Sequence, residues 1–434
     1  MKRSMGRLGI VMITVIATAL ITTALLSDNR MALSADKTAY RSLKRFNEVL
    51  DLIEKNYVET VEADKIIEGA IKGMTSTLDP HSIYMTADMY KELEIETKGS
   101  FGGLGITIEM KDSFLTVVAP IEDTPAFKAG ILPGDRILKI NSESIGGWSI
   151  TEAVHKLRGP SGTDVTITVM REGLDKPKDF KITRDIIKIK SVKTRRYSDD
   201  IGYFRISSFQ ETTSDELKKA LTEMTGGNTA LKGLIVDLRN NPGGLLNQSI
   251  QVADIFLKSG VIVSMKGRSK DANKVYDARD DGNELTVPMI VLINSGSASA
   301  AEIVSGALQD HKRALLVGTQ TFGKASAQVV IPLEDGSALK LTTSKYYTPN
   351  GRLIQAKGIT PDIVMEYQRN SASGEKQTRI REKDLKGHLE GTEDQPEESK
   401  TAADGSAAVP DDNQLKYAID LLKSWDLFAR MNRS

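Results

Sequence analysis

Asn294-Ser295-Gly296-Ser297-Ala298-Ser299-Ala300-Ala301-Glu302-Ile303 lies where a short apolar run, residues 289–294, gives way to a helical pattern that reaches His311. An apolar run of that length reads as a buried strand, and the periodic residues after it read as a helix. Small residues at the junction let another backbone approach closely. Ser295, Ser297 and Ser299 stand within five positions, and at least one is expected to cap the helix, since serine favours that position. A hydroxyl presented at a helix mouth is also a place for a nucleophile. The stretch by itself leaves cap, packing site and nucleophile open.

Working outward, strands are expected at 201–206, 233–238 and 314–317, and helices at 214–224 and 246–257. Strands alternating with helices indicate an α/β layer architecture. Antiparallel strands are expected at 328–333 and 339–343. On the C-terminal side, Gly318-Thr319-Gln320-Thr321-Phe322-Gly323-Lys324 is a glycine-bounded loop ending in lysine. A phosphate loop would continue with Ser or Thr and then a helix; Ala325 and a strand follow here, which argues against a nucleotide site. A serine hydroxyl needs an adjacent base. None of His81, His155, His311 and His388 sits in a pattern suggesting a triad. A lysine whose burial leaves it neutral near pH 7 can take that role, and Phe322, Gly323 and Ala325 give Lys324 an uncharged neighbourhood. On the N-terminal side, Asp237-Leu238-Arg239-Asn240-Asn241-Pro242-Gly243-Gly244 ends a strand. Its paired glycines either present backbone N–H groups to an oxyanion or form a plain turn.

From Lys98 the character changes to short apolar alternations punctuated by glycine, an α+β unit ending near Arg184. Gly103-Leu104-Gly105-Ile106 runs straight into a strand, and such a loop can offer consecutive N–H groups to a peptide carboxylate while the peptide adds alongside. The sequence before this unit, residues 38–97, reads as a helical N-terminal segment, with Leu43, Phe46, Leu50 and Ile53 at helical spacing and a break at Asp79-Pro80-His81-Ser82.

Lys2, Arg3 and Arg7 precede an uncharged run from Leu8 to Leu26. Residues 1–27 read as a retained anchor or a cleaved signal, which places the remainder outside the cytoplasm. At the other end, residues 369–413 are too polar to offset their ordering entropy and read as a disordered linker. Leu415, Ala418, Leu421, Leu422 and Trp425 mark an amphipathic helix over 414–430. The 434 residues carry 58 basic and 58 acidic side chains, so no bulk charge favours nucleic acid. The absence of cysteine excludes disulfides, thiolate metal sites and a cysteine nucleophile. No metal or cofactor is expected.

Taken together, residues from about 41 to 366 resemble the carboxy-terminal processing, or tail-specific, proteases. The resemblance rests on Gly102–Ile106 with Ala129–Asp135, on Asp237–Gly244, on Gly296–Glu302 and on Thr321–Gln328. Leu78–Ser82 and Tyr347–Gly351 also fit. It implies a PDZ domain over 98–186 and a crotonase-like core of β-β-α units over 187–368. It further implies Ser299 as nucleophile, Lys324 as general base 25 positions later, and Gln328 as the residue that positions this dyad. Backbone N–H groups of Ala300 and of Gly243 or Gly244 would form the oxyanion hole. Gly103, Leu104, Gly105 and Ile106 would hold the substrate's tail, and Arg158 would couple its binding to the dyad. Asp310 matches an acidic family position without an assigned role. Ala301 departs from the family, where many members have a second serine. The substrates implied are exported proteins or peptides with apolar C-termini, in a bacterial periplasm or cell envelope. The N-terminal segment would contact the membrane, and a homo-oligomer is compatible. Two rivals stand beside this reading: a PDZ scaffold without catalysis, and a crotonase-like enzyme for small acyl substrates.

Overall fold

The computed structural model describes residues 40–197, 200–226, 231–282, 285–368, 380–391 and 412–431. The expected anchor or signal at 1–27 lies outside them. No helix among the described residues is long and apolar enough to cross a membrane.

The chain forms two units, residues 1–77 and 78–434. In the first, helices span residues 40–56 and Ala63–Ser76. Leu50 and Ile53 are half-buried, whereas Leu43 and Phe46 remain exposed. The expected helical segment 38–97 does not stay together. Its last part belongs to the second unit, where Ile83–Met85 is a strand pairing antiparallel with Ala338–Tyr347. Three residues are too few to show a period of two, so this strand carries no sequence signal.

The second unit holds the PDZ-type fold and the α/β core. In the former, the sheet order is Ile106–Lys111, Phe114–Pro120, Arg136–Ile140, Asp164–Met170, Lys178–Thr183, with Glu143–Ser144 beside the third. Leu115 and Val117, and Val165, Ile167 and Val169, alternate into one core, as period-two patterning requires; a register shift between Ile137 and Lys139 brings Ile140 into the same core as Ile137. The helix Ile150–Leu157 is started by a capping box of Ser149 and Glu152: Glu152 N–H donates to Ser149 Oγ at 3.2 Å, and Ser149 N–H donates to the Glu152 carboxylate at 2.7 Å. Its end is closed by Arg184, which donates to the carbonyls of Lys156 and Leu157 at 2.9 Å each.

In the core, six strands run in the order Val192–Tyr197, Ile201–Ile206, Gly233–Asp237, Met289–Ile293, Leu315–Gly318, Ile363–Val364. All neighbours are parallel except the first pair. Gly233–Asp237 and Met289–Ile293 are buried throughout, which explains their continuous apolar runs. Leu234, Val236, Met289, Val291 and Ile293 face the helices Thr213–Thr225, Leu246–Asp254 and Ala300–Asp310. Ile235, Ile290 and Leu292 face the other way and pack with Ala418 and Leu422 of the C-terminal helix Asn413–Met431. That helix therefore docks on its own core. Arg239 pins its start, donating to Asp412 at 2.7 and 2.9 Å and to Gln414 at 2.9 Å. A second sheet of five strands contains Ile83–Met85, Ala338–Tyr347, Gly260–Gly267, Lys274–Ala278 and Ser326–Pro332. Gly260–Gly267 and Lys274–Ala278 were not expected from the sequence.

Within the stretch expected as a linker, residues 369–379 and 392–411 lie outside the described residues. Residues 380–391 between them are packed: a short 3-10 turn, Glu382–Asp384, places Glu382 at 0% exposure. One buried anchor suffices to dock a polar segment, and average composition does not reveal it.

Candidate active site

The turn after Met289–Ile293 is built from side chains that bond its backbone. Ser297 Oγ donates to the Leu238 carbonyl at 2.7 Å and accepts from Asn294 N–H at 3.0 Å. Ala298 N–H donates to the Asn241 carbonyl at 2.9 Å. Ser297 is fully buried and spent in the turn, whereas Ser299 stays half-exposed. Of the serines in this stretch, Ser299 alone has left-handed backbone, with φ 54° and ψ −114°. Such a conformation is costly for a residue with a Cβ and persists only where the surroundings over-determine it. Strain at a strand-to-helix turn is also how a nucleophilic serine is thrust out of a sheet.

The lysine loop is gripped by the first turn of the same helix. Glu302, fully buried, accepts from Ser299 N–H at 2.8 Å, Thr321 Oγ1 at 2.5 Å, Gly323 N–H at 2.8 Å and Lys324 N–H at 2.9 Å. Burial pushes its carboxyl up to about 7 against the pull of those four donors. Tyr346 adds a second staple, its hydroxyl reaching the Ser299 carbonyl at 3.1 Å and the Lys324 carbonyl. Burial, joined by the like charge of Lys340, lowers the Lys324 amine to about 8; Glu382, Asp79 and Glu302 act the other way. The two backbones are thus brought together, while Ser299 Oγ and Lys324 Nζ share no hydrogen bond with each other.

Gln328, expected to position the dyad, donates instead to Ser326 Oγ at 3.0 Å and Thr342 Oγ1 at 3.1 Å. Thr342 Oγ1 donates on to Asp79 at 3.1 Å, and Asp79 also accepts from Ser82 Oγ at 2.6 Å. Gln328 therefore belongs to a network behind the lysine and does not bond it directly.

Gly243 and Gly244 have φ of 104° and 139°. A Cβ on Gly243 would lie 2.9 Å from the Ala298 carbonyl and from Ser299 Cβ, and 3.1 Å from Ala300 N. The glycine turn therefore lies directly against the serine. Gly243 N–H is already committed to Asn241 Oδ1 at 2.8 Å, which removes it from the expected oxyanion donors. Gly244 and Ala300 N–H make no hydrogen bond among the described residues.

In the PDZ fold, Ile106–Lys111 is an edge strand. Its free edge offers unpaired backbone groups for an added strand. The carbonyls of Leu104 and Gly105 are taken, by Ala126 N–H at 2.9 Å and Ile121 N–H at 2.8 Å. Their N–H groups have no partner among the described residues. Gly103 pairs through its strand with Asp185. The loop thus has the free donors a terminal carboxylate needs. Arg158 lies at the end of the helix Ile150–Leu157, ion-paired with Glu92 and 4.7 Å from the Phe101 ring centroid. It contacts neither Ser299 nor Lys324. Asp310 pairs with Arg352 and accepts from Asn350 N–H at 2.9 Å, a structural role.

Sequence reasoning assigned no role to Glu302, Tyr346 or Lys340. Glu302 had a signal, an acidic residue three positions after the serine. Tyr346 and Lys340 had none, since their positions depend on strand pairing.

Residues 200–365 match peptidase family S41, residues 14–89 the N-terminal domain of the activating protease CtpB, and residues 116–171 the PDZ domain. A carboxy-terminal-processing protease of Bartonella bacilliformis is 47% identical over 390 residues, covering 89% of this chain and 90% of that protein. The carboxy-terminal processing protease CtpA of Bacillus subtilis is 36% identical, covering 84% of this chain and 78% of its own length. The solved structure of a photosystem II D1 C-terminal processing protease is 28% identical, with a TM-score of 0.43 over 74% of this chain and 92% of its own. With a serine turn, a lysine loop and a PDZ fold in one chain, and with the Bartonella and Bacillus relatives covering 84–89% of it, the chain belongs to the carboxy-terminal processing proteases, the serine peptidases of family S41.

Proposed function

We propose that Ser299 is the nucleophile and Lys324 the general base of this peptidase. The observation that carries the reading is the double staple of Glu302 and Tyr346 onto the backbones of both residues. Neutral Lys324 takes the proton of Ser299 Oγ as the oxygen attacks a peptide carbonyl. The oxyanion rests on the N–H groups of Ala300 and Gly244, Lys324 protonates the leaving amine, and water then releases the acyl-enzyme. The direct hydroxyl–amine bond forms on substrate binding, since catalytic hydrogen bonds commonly tighten only then. Gln328 supports the lysine through Thr342 and Asp79.

A substrate's C-terminus sits on the Leu104 and Gly105 N–H groups and extends along Ile106–Lys111. The buried Leu104 and half-buried Ile106 and Ile108 favour an apolar tail. This groove argues against a small acyl substrate, and the lowered Lys324 argues against a scaffold without catalysis. The basic start and apolar run of residues 1–27 support a location in the cell envelope, to be checked by protease accessibility in spheroplasts.

The decisive experiment incubates the full chain with a test protein bearing an apolar C-terminal tail. Ser299→Ala and Lys324→Ala are each expected to lower kcat by on the order of 10⁴-fold or more with the fold intact by circular dichroism. Cleavage persisting in either removes the reading.

A further inference from the structure

The segment 380–391 reaches the lysine loop from outside the core sequence. Arg381 donates to Gln320 Oε1 at 2.6 Å, and Glu382 N–H donates to the Phe322 carbonyl at 3.2 Å. Farther along, Lys345 Nζ donates to the Glu390 carbonyl at 2.7 Å. The Glu382 carboxylate accepts from Gln355 Nε2 at 2.9 Å, and Gln355 Oε1 in turn accepts from Ala325 N–H at 2.8 Å. The peptide is therefore held two residues before Lys324 and one residue after it, both times through Glu382. The carboxylate itself is oriented by His81, whose Nε2 lies 2.7 and 2.9 Å from its two oxygens. A carboxylate only accepts, so His81 Nε2 carries the proton. His81 follows Asp79, which accepts its N–H at 2.9 Å and belongs to the Gln328 network.

Resting on the assignment of Lys324 as base, we propose that Glu382 is a positioning residue for catalysis, a carboxylate docked from the segment beyond the core and held by His81. A fully buried carboxylate is costly unless its partners are in place. Here Gln355 and His81 supply them, and the result is a rigid frame on both sides of the base. Misplacing a catalytic group by about 1 Å costs on the order of 10²-fold. Losing this frame therefore affects turnover more than binding, since the PDZ groove is untouched.

The titratable groups around Glu382 and Lys324 are His81, Asp79, Glu302 and Lys340, with Tyr346 buried nearby. Glu382 favours the protonated form of Lys324, so removing its charge while keeping its shape shifts the lysine's titration downward.

The test measures kcat and KM across pH for the full chain, Glu382→Ala, Glu382→Gln, His81→Ala and the double variant Glu382→Ala/His81→Ala. In Glu382→Ala, kcat is expected to fall about 10- to 100-fold with KM changed less than about threefold. In Glu382→Gln, the acid limb of the kcat profile moves to lower pH. The double variant loses no more than Glu382→Ala alone. Wild-type kcat in folded Glu382→Ala, a loss carried by KM, or an unmoved acid limb in Glu382→Gln overturns the inference. Where Glu382→Ala fails to fold, Glu382→Gln decides. An active Lys324→Ala would instead overturn the dyad itself, so the two failures are distinguishable.

Discussion

The Ser299 turn and the Lys324 loop meet at one site but are made in different ways. The turn is local: its strain and its Ser297 brace come from a few consecutive residues packed on Leu238–Gly243. The loop has little of its own and is held by Glu302, Tyr346, Gln355 and Glu382, contributed by a helix, a strand and two distant segments. The hydroxyl needs a position, and a tight turn supplies it from a few neighbouring residues. The amine needs a low dielectric and chosen charges, which only a converging set of elements can supply.

Glu302→Ala attacks the point where the two regions join, and its effect is expected to be the largest of those below. It leaves the buried donors of Thr321, Gly323 and Lys324 without an acceptor. A loss of about 3–5 kcal/mol in stability and a fall of about 10²–10³-fold in kcat are expected, read by urea unfolding and initial rates. Gly243→Ala tests the turn alone. A methyl group there meets the Ala298 carbonyl and Ser299 Cβ at 2.9 Å, and kcat should drop about 10²-fold with wild-type peptide binding to the PDZ fold.

The two regions also store their cost differently. Ser299→Gly frees the strained φ and should stabilise by about 1 kcal/mol, equally at every pH. Lys324→Met should stabilise in a pH-dependent way. The amine titrates at about 8 in the fold against an ordinary 10.5, so the penalty of burying its charge is fully present below 8. It fades as pH rises toward 10.5, and the gain on substitution fades with it. Thermal unfolding of both variants at pH 6 and pH 10 separates the two behaviours; equal pH dependence would erase the contrast.

The smallest expected effect is on the profile of kcat/KM. Activity should rise with pH through about 8 as Lys324 deprotonates. Lys340→Gln removes a like charge that favours the neutral amine, so the limb should move to higher pH. A limb that stays in place would show that burial alone sets the lysine.

The legible parts of this molecule are those whose pattern is local. Residues 233–238 and 289–294 read correctly because continuous burial and a strand-to-helix change leave marks in adjacent residues. The serine and lysine stretches were legible as motifs, and family resemblance joined them. Which of Gly243 and Gly244 keeps a free N–H was not legible, because Gly243 donates to Asn241, a contact two residues away that no pattern announces. Ile83–Met85 and the docked 380–391 were missed because each is fixed by a distant partner. The resemblance implied that Arg158 links the peptide groove to the dyad; in this structure its side chain rests on Glu92 and Phe101.

From sequence alone came the α/β layering, the glycine turns and the strand-bordered peptide loop, which follow from periodicity and backbone sterics acting between neighbours. One serine and one lysine were singled out by the family resemblance, not by pattern. The fold decided that Ser299 and not Ser297 is presented, that Glu302 and Tyr346 bind the two loops together, and that Lys324 sits among Lys340, Asp79 and Glu382. Dielectric and charge are properties of a volume, and that volume exists only once segments some three hundred residues apart, such as His81 and Glu382, have come together.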